Sequence, residues 1–181
     1  MRTLLATLFL FLIVSGCAGT GESAPSATTS LQPTRGNQAG GTITFTQKGD
    51  KILVTAKVTG LSPGLHGFHV HEKGDCSAAD ASSAGPHFNP SGVPHGSPDS
   101  APHHAGDLGN LTADSSGNAT LSMEVSGISL EPTAANSIIG RSVIVHANPD
   151  DLKSQPAGNS GPRIACGVIH LVEKKPGYSG Y

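Results

Sequence analysis

The chain has 181 residues and a formal net charge of −2 with histidine neutral, and its length predicts one domain. Lysine and arginine form no run, so the chain lacks the basic footprint of a nucleic-acid-binding protein, and we expect no nucleic acid as a partner. Its 24 glycines and 13 prolines disfavour long helices and favour short strands joined by turns.

The N-terminus has the layout of an export signal. An apolar stretch from Leu4 to Val14 follows one arginine, and its length of about 11 residues is too short to cross a hydrocarbon core of about 30 Å. The letters VSGC, which end at Cys17, resemble a bacterial lipobox. That resemblance implies removal of residues 1–16 as a lipoprotein signal peptide and a lipid anchor on Cys17. We therefore expect an exported lipoprotein, periplasmic or at the cell surface and held on a membrane, with an ordinary signal peptide as the alternative.

Residues 17–30 are predicted to be a flexible tether, because they are mostly small and polar and show no periodicity. The folded domain is then expected at residues 31–175, with a C-terminal tail at 176–181, although a weak strand pattern lies near residues 27–35. Lipidation of Cys17 leaves two of the 3 cysteines, Cys76 and Cys166, as a candidate disulfide pair in an oxidising compartment.

Clear strand patterns begin at residue 42. In TITFTQK, Ile43 and Phe45 share one face, and KILVTAKV returns with the same alternation after a turn at Gly49-Asp50, which predicts a hairpin. Further strands are predicted in ATLSMEV, RSVIVH and RIACGVIHL. About six to eight such strands without a helical stripe predict an all-β, antiparallel sandwich or barrel.

Two long stretches, residues 73–107 and 147–162, interrupt the strand pattern. They are rich in glycine, proline and serine and poor in aliphatic residues. Loops of this length in a compact domain are usually functional or disordered, and the histidines favour function.

The segment GFHVHE predicts two histidines on one face of a strand. Side chains alternate along a strand, so Phe68 and Val70 should face the core while His69 and His71 project from the other face. His146 ends VIVH in the same arrangement. Solvated surface histidines are the alternative to convergence on a metal ion.

The first long stretch adds further residues of metal-binding type, which are His87, His95, His103, His104 and Asp107. Zinc takes imidazole nitrogen and carboxylate oxygen, and copper takes imidazole nitrogen. A polar tract is the alternative. However, the glycines and prolines between these residues cannot form a core, so a bound metal would explain an ordered loop.

Five motifs, in this order, resemble the copper/zinc superoxide dismutases: GLHGFHVHEKGD, GPHFNP, HHAGDLGN, IIGRSVIVH and GPRIACGVI. The likeness runs from about residue 27 to 172 and is greatest to the exported bacterial branch of that family. It implies an eight-stranded antiparallel Greek-key β-sandwich or barrel, immunoglobulin-like, with two long functional loops. It also implies a disulfide between Cys76 and Cys166.

The resemblance further implies two metal sites that share one residue. Copper would be bound by His69, His71, His87 and His146. Zinc would be bound by His87, His95, His104 and Asp107. His104 is preferred to His103, because family members place a zinc histidine three residues before the aspartate. His66 matches a family histidine near the copper strand that binds no metal. His170 matches no motif and is expected on the surface.

The implied activity is superoxide dismutase. Two superoxide anions would be converted to dioxygen and hydrogen peroxide as copper cycles between Cu(II) and Cu(I), while zinc is structural and the bridging His87 takes up a proton. Arg163 would dock the superoxide anion, with Lys153 as a further source of attraction. Asp150 would tie a copper histidine to a zinc histidine through hydrogen bonds.

Two other functions and the oligomeric state stay open at this point. A copper-delivery or storage protein would be expected to lack Arg163 or one of the copper histidines, and this chain lacks neither. A structural cell-surface sandwich would have no need of the loop histidines. In animal members the subloop at Cys76 forms the dimer contact, but its spacing is different in this chain. Both a homodimer and a monomer are therefore compatible with the sequence.

Overall fold

A computed structural model describes residues 24–173 of the chain. The strands are β1 (Ser26–Pro33), β2 (Gly40–Lys48), β3 (Lys51–Thr59), β4 (Gly64–His71), β5 (Asp107–Ala113), β6 (Ala119–Val125), β7 (Ser142–His146), β8 (Arg163–Val168) and β9 (His170–Leu171). A turn of 3₁₀ helix covers Ser82–Ala84. Within this part of the chain, no helix has the length and apolarity needed to span a membrane. The predicted signal peptide, Cys17 and the tail at 176–181 lie outside the described residues.

Eight antiparallel strands close into a barrel. Their order is β2, β3, β6, β5, β4, β7, β8, β1, and β1 pairs again with β2, so the sheet closes on itself. The short β9 pairs with the beginning of β1. The connections from β3 to β4 and from β6 to β7 join strands that are not neighbours, which makes the arrangement a Greek key. The predicted eight-stranded antiparallel fold is confirmed, in its barrel form.

The hairpin of β2 and β3 shows how the sequence pattern builds the core. Gly49 lies in its turn with φ of 61°, a left-handed conformation that glycine adopts without steric cost. Across the hairpin, Ile43 pairs with Ala56 and Phe45 with Val54, and all four side chains are buried. The predicted alternation therefore places one face of the hairpin in the apolar interior.

The predicted end of the tether at residue 30 is wrong, because β1 begins at Ser26. Ala27, Thr29 and Leu31 are buried, and the backbone of β1 pairs with β2 as far as Leu31. The segment SATTSLQP has few large apolar side chains, so its sequence alone is typical of a linker. Its strand conformation comes from the hydrogen bonds offered by β2, and the folded domain begins near residue 26 rather than residue 31.

The two long loops connect β4 to β5 and β7 to β8, as predicted. A disulfide between Cys76 and Cys166 ties the first loop to β8. Ala81, Ala84 and Ile144 pack around it in a small apolar cluster. A bridge across a sequence separation of 90 constrains the unfolded chain, which by the entropy model favours the folded state by about 4 to 5 kcal/mol at most. The first loop is therefore fastened to the barrel by a covalent bond.

Candidate metal centre

β4 and β7 bring three histidines to one place. Phe68 and Val70 are buried in the barrel core, and the alternation along β4 turns His69 and His71 to the opposite side. His146 ends β7, which pairs with β4 over this stretch. All three histidines are buried. The convergence that the strand pattern predicted is therefore observed.

The first loop brings His87 to the same place by pairing with the end of β4. His71 and His87 form an isolated antiparallel bridge, and the Phe88 N–H donates to the Val70 carbonyl over 2.9 Å. At the end of the loop, a Cβ on Gly106 would lie 2.2 Å from the Val70 carbonyl oxygen. Only glycine allows this close approach of the backbone, which delivers the next residue to the start of β5.

Seven side chains form two adjoining donor groups that share His87. The first group consists of His69, His71, His87 and His146. The second group consists of His87, His95, His104 and Asp107. In each group the four ligand atoms lie within 4.8 Å of one another, and every member is buried. The structure thus brings together both sets of residues that the sequence motifs nominate.

The inward-facing ring nitrogens of these groups are buried, with no hydrogen-bond partner among the described residues. They are Nδ1 of His69, His95 and His104, and Nε2 of His71, His87 and His146. An unpaired buried polar group costs about 1–3 kcal/mol, so a cluster of them needs a binding partner. Imidazole nitrogens with one carboxylate are donors that copper and zinc accept, and the residues therefore fit these metals.

The outward ring nitrogens fix the tautomers of two histidines. Nδ1 of His71 donates to the Gly85 carbonyl over 2.8 Å, and Nδ1 of His146 donates to the Gly161 carbonyl over 3.0 Å. Because a carbonyl oxygen only accepts, the proton lies on Nδ1 and the lone pair lies on the inward Nε2. Each ring is thus prepared to bind a cation.

His87 presents a different nitrogen to each group. Nε2 belongs to the unpartnered set, and Nδ1 lies 2.8 Å from Oδ1 of Asp107 in the second group. The ring centroid lies 4.0 Å from that of His69 and 5.5 Å from that of His104. One imidazole can therefore contact a cation in each group.

The spacing of the second group fits a tetrahedral ion. Oδ2 of Asp107 lies 3.0 Å from Nδ1 of His95, and Oδ1 of Asp107 lies 3.3 Å from Nδ1 of His104. Ligands about 2.0–2.1 Å from a tetrahedral zinc ion are separated from one another by about 3.3 Å. Burial raises the pKa of Asp107, but hydrogen bonds from His87 and from the backbone N–H groups of His104 and Gly96 outweigh it and hold that pKa well below its usual range. The carboxylate is ionised, as a metal ligand must be.

Asp150, in the second loop, links the two groups from behind. Its Oδ2 accepts a hydrogen bond from Nε2 of His69 over 2.7 Å, and its Oδ1 accepts one from Nε2 of His95 over 3.0 Å. The side-chain amide of Asn110, on β5, holds the backbone of Asp150. The Asp150 N–H donates to Oδ1 of Asn110 over 2.8 Å, and Nδ2 of Asn110 donates to the Asp150 carbonyl over 2.9 Å. The carboxylate therefore lies between one ring of each group, in the position that the resemblance implies.

Arg163 stands beside a cleft of about 660 Å³ that His71, His87 and His146 also line. Its Nη1 donates to the Ala81 carbonyl and its Nη2 to the Gly85 carbonyl, each over 2.7 Å. These bonds hold the side chain in place and leave other N–H donors of the guanidinium free to bind an anion. An anion in the cleft can therefore meet Arg163 and the first donor group together.

Arg141 also lines the cleft, although no feature of its motif predicts a role for it. Its guanidinium lies 3.6 Å from the centre of the Phe88 ring and donates to the carbonyls of Ser137 and Glu72. Contacts to backbone carbonyls and to an aromatic ring produce no recognisable pattern of residues, so the sequence does not predict them. By contrast, Lys153 is exposed and is not one of the cleft residues.

The three remaining histidines lie outside both donor groups. His66 is buried, and its Nδ1 lies 2.8 Å from the carbonyl of His146. His103 contacts the carbonyl of His104 over 2.8 Å. His170 is exposed on β9. The preference for His104 over His103 in the second group therefore agrees with the geometry.

Burial keeps three histidines of the first group, His69, His71 and His146, neutral. Desolvation is the largest cause, and it lowers the pKa of His69 and His71 well below 6.5. It also lowers the pKa of His146 to about 4. Neutral imidazole is the form that binds a metal, so the burial that disfavours protonation also favours metal binding.

A Greek-key barrel with two buried donor groups that share one histidine defines a two-metal protein. A family model described as copper/zinc superoxide dismutase matches residues 39–169. The chain belongs to the copper/zinc superoxide dismutase family. It is an oxidoreductase that acts on superoxide, and its cofactors are copper and zinc.

The metal-free protein is expected to lose stability as the pH falls from about 6.5 to about 4. In this window the unfolded state binds protons that the folded state excludes from His69, His71 and His146, because their pKa values are lowered, so stability rises with pH. For His146 alone, a pKa lowered from 6.5 to about 4 corresponds to about 3 kcal/mol. Thermal unfolding in the presence of a chelator measures the effect. An unfolding midpoint that stays constant between pH 6.5 and 4 would contradict it.

Proposed function

We propose that copper is held by His69, His71, His87 and His146, and that zinc is held by His87, His95, His104 and Asp107. The first group offers four imidazole nitrogens and no carboxylate, a donor set that suits copper. The second group includes a carboxylate at tetrahedral spacing, which suits zinc. The single observation that carries this assignment is the ring of His87, whose two nitrogens face different groups.

The reaction converts two superoxide anions and two protons to dioxygen and hydrogen peroxide. When bound, copper supplies one-electron chemistry between Cu(II) and Cu(I), and zinc supplies a fixed charge without redox chemistry. The chain itself supplies a proton through His87. Nδ1 of His87 serves the second donor group, so the ring would take up a proton on its other nitrogen, Nε2, and the ring lines the cleft. From Nε2 the proton can pass to the reduced product in the cleft.

Arg163 is proposed to bind superoxide beside the first group. The net charge of the chain is −2, so attraction of an anion has to come from local charge rather than from the whole protein. The guanidinium is held by two carbonyls and faces the cleft, which makes it a fixed local charge. The exposed Lys153 does not line the cleft and is assigned a minor part.

Metal content and superoxide removal, measured together on purified residues 18–181, test this function. The proposal requires copper, zinc and turnover in the same preparation. Stoichiometric copper and zinc without turnover would favour a storage or delivery protein instead. A protein that takes up neither metal would favour a structural barrel.

The variant His146→Ala is expected to abolish superoxide removal while zinc stays bound and the fold stays intact. The ring of His146 belongs only to the first group, so its loss should leave the second group complete. Metal analysis, circular dichroism and activity measure the three properties. His103→Ala is the matched control, because His103 lies outside both groups, and it should keep full activity. Full activity in His146→Ala would refute the copper assignment.

The variant Arg163→Glu is expected to lower the rate constant for superoxide removal about tenfold or more at low salt, and to weaken its dependence on ionic strength. A fixed cation beside the first group becomes an anion that repels the substrate. Lys153→Glu is the matched control, because it makes the same change of charge on an exposed side chain of the second loop, which ends just before Arg163. It should lower the rate constant less than Arg163→Glu does. Equal effects of the two substitutions would show that Arg163 acts only through net charge.

We also propose that the protein is exported, loses residues 1–16 as a lipoprotein signal peptide, and is anchored to a membrane through lipid on Cys17 in the periplasm or at the cell surface. The VSGC motif supports the anchor, and the disulfide between Cys76 and Cys166 supports an oxidising compartment. For the oligomeric state we propose a homodimer. Sedimentation of the purified protein distinguishes it from a monomer.

The variant Cys17→Ser is expected to lose incorporation of labelled fatty acid and to leave the membrane fraction, because it removes the only proposed attachment point. Labelling and fractionation of cells that express the full chain measure both effects. Continued labelling of Cys17→Ser would place the anchor elsewhere.

A further inference from the structure

The second loop holds His95, a residue of the first loop, at three points. Asp150 accepts a hydrogen bond from its ring over 3.0 Å. The side-chain amide of Gln155 contacts its backbone twice, because the His95 N–H donates to Oε1 over 2.9 Å and Nε2 donates to the His95 carbonyl over 2.9 Å. Gln155 lies 60 residues away in the sequence. A member of the second donor group is therefore positioned from the opposite loop.

The backbone of His95 depends on this amide. His95 is buried and belongs to no strand or helix. Among residues 24–173, the hydrogen bonds found for its N–H and its carbonyl are those to Gln155. Buried backbone groups are almost always paired, so removal of the amide would shift or loosen the backbone that carries the ring.

Within residues 24–173, the hydrogen bonds found for the other members of the second group do not involve the second loop. Asp107 begins β5, and the backbone N–H of His104 donates to its carboxylate over 2.8 Å. His87 is bridged to His71 at the end of β4. His95 therefore couples the second group to the second loop.

Gln155 also stands next to the cleft. Pro156 and Ala157, the two residues that follow it, line the cleft together with Arg163. The amide of Gln155 makes a further bond to the Lys153 carbonyl over 3.1 Å, which braces this part of the loop. One side chain thus joins the second donor group to the wall of the cleft.

We propose that Gln155 is a positioning residue for the zinc site: its amide holds both backbone groups of His95, so that zinc affinity depends on the contact with the second loop. The proposal rests on the proposed assignment of His95 to zinc. It also makes the cleft wall at Pro156 and Ala157 dependent on zinc, because the same contacts join the wall to His95.

The test compares zinc affinity in the purified protein and in Gln155→Met, which keeps the length of the side chain and removes its amide. A chelator competition is expected to show 10–100-fold weaker zinc binding. The tetrahedral spectrum of cobalt(II) bound in place of zinc should be altered as well. Gln38→Ala, which changes an exposed glutamine outside both loops, should bind zinc within about twofold of the original protein.

Two further variants keep the outcome decisive. Gln155→Asn retains the amide on a shorter side chain that cannot reach both backbone groups, so it should weaken zinc binding as well, and it serves if Gln155→Met fails to fold. His95→Ala tests the assignment of the ligand. If His95→Ala weakens zinc binding while both Gln155 variants match the original protein, the role of Gln155 is refuted and the proposed function stands. If His95→Ala leaves zinc binding unchanged, the assignment of His95 to zinc is wrong.

Discussion

The ring of His87 has to present one nitrogen to each of two neighbouring donor groups, and the surrounding structure holds that ring in place. The bridge to His71 fixes its backbone beside β4. The close approach at Gly106 returns the chain to β5, so that Asp107 faces Nδ1 of His87. The disulfide to Cys166 fastens the loop that carries it. Strand pairing, a glycine and a covalent bond therefore serve the position of one imidazole.

The same constraint explains why the donor groups are buried. A ring that contacts a cation with each of its two nitrogens needs neutral, desolvated neighbours, and burial lowers the pKa values of His69, His71 and His146. Burial also leaves their inward nitrogens without partners, which is unfavourable until a cation binds. The unpaired nitrogens therefore lower the stability of the metal-free protein and favour metal binding at the same time. The rest of the barrel has to be stable enough to fold in spite of them.

Much of the fold and of the site could be predicted from sequence, because alternation along β2, β3 and β4 is a local signal. It separates His69 from its core-facing neighbours, and the ordered motifs nominate both donor groups. β1 shows only a weak strand pattern near residues 27–35, and the tether boundary was misplaced, because its strand state depends on pairing with β2 rather than on its own apolar residues. Gln155 and Arg141 act through backbone carbonyls and aromatic faces remote in sequence, and such contacts leave no residue pattern. The metal that each group takes was implied by resemblance and is supported by donor chemistry.

The most direct test is a crystal structure of the protein loaded with both metals. The account predicts one cation in each donor group, with Nε2 of His87 bound to the first and Nδ1 about 2.0–2.1 Å from the second. A structure in which the His87 ring contacts only one cation, or none, would contradict the account.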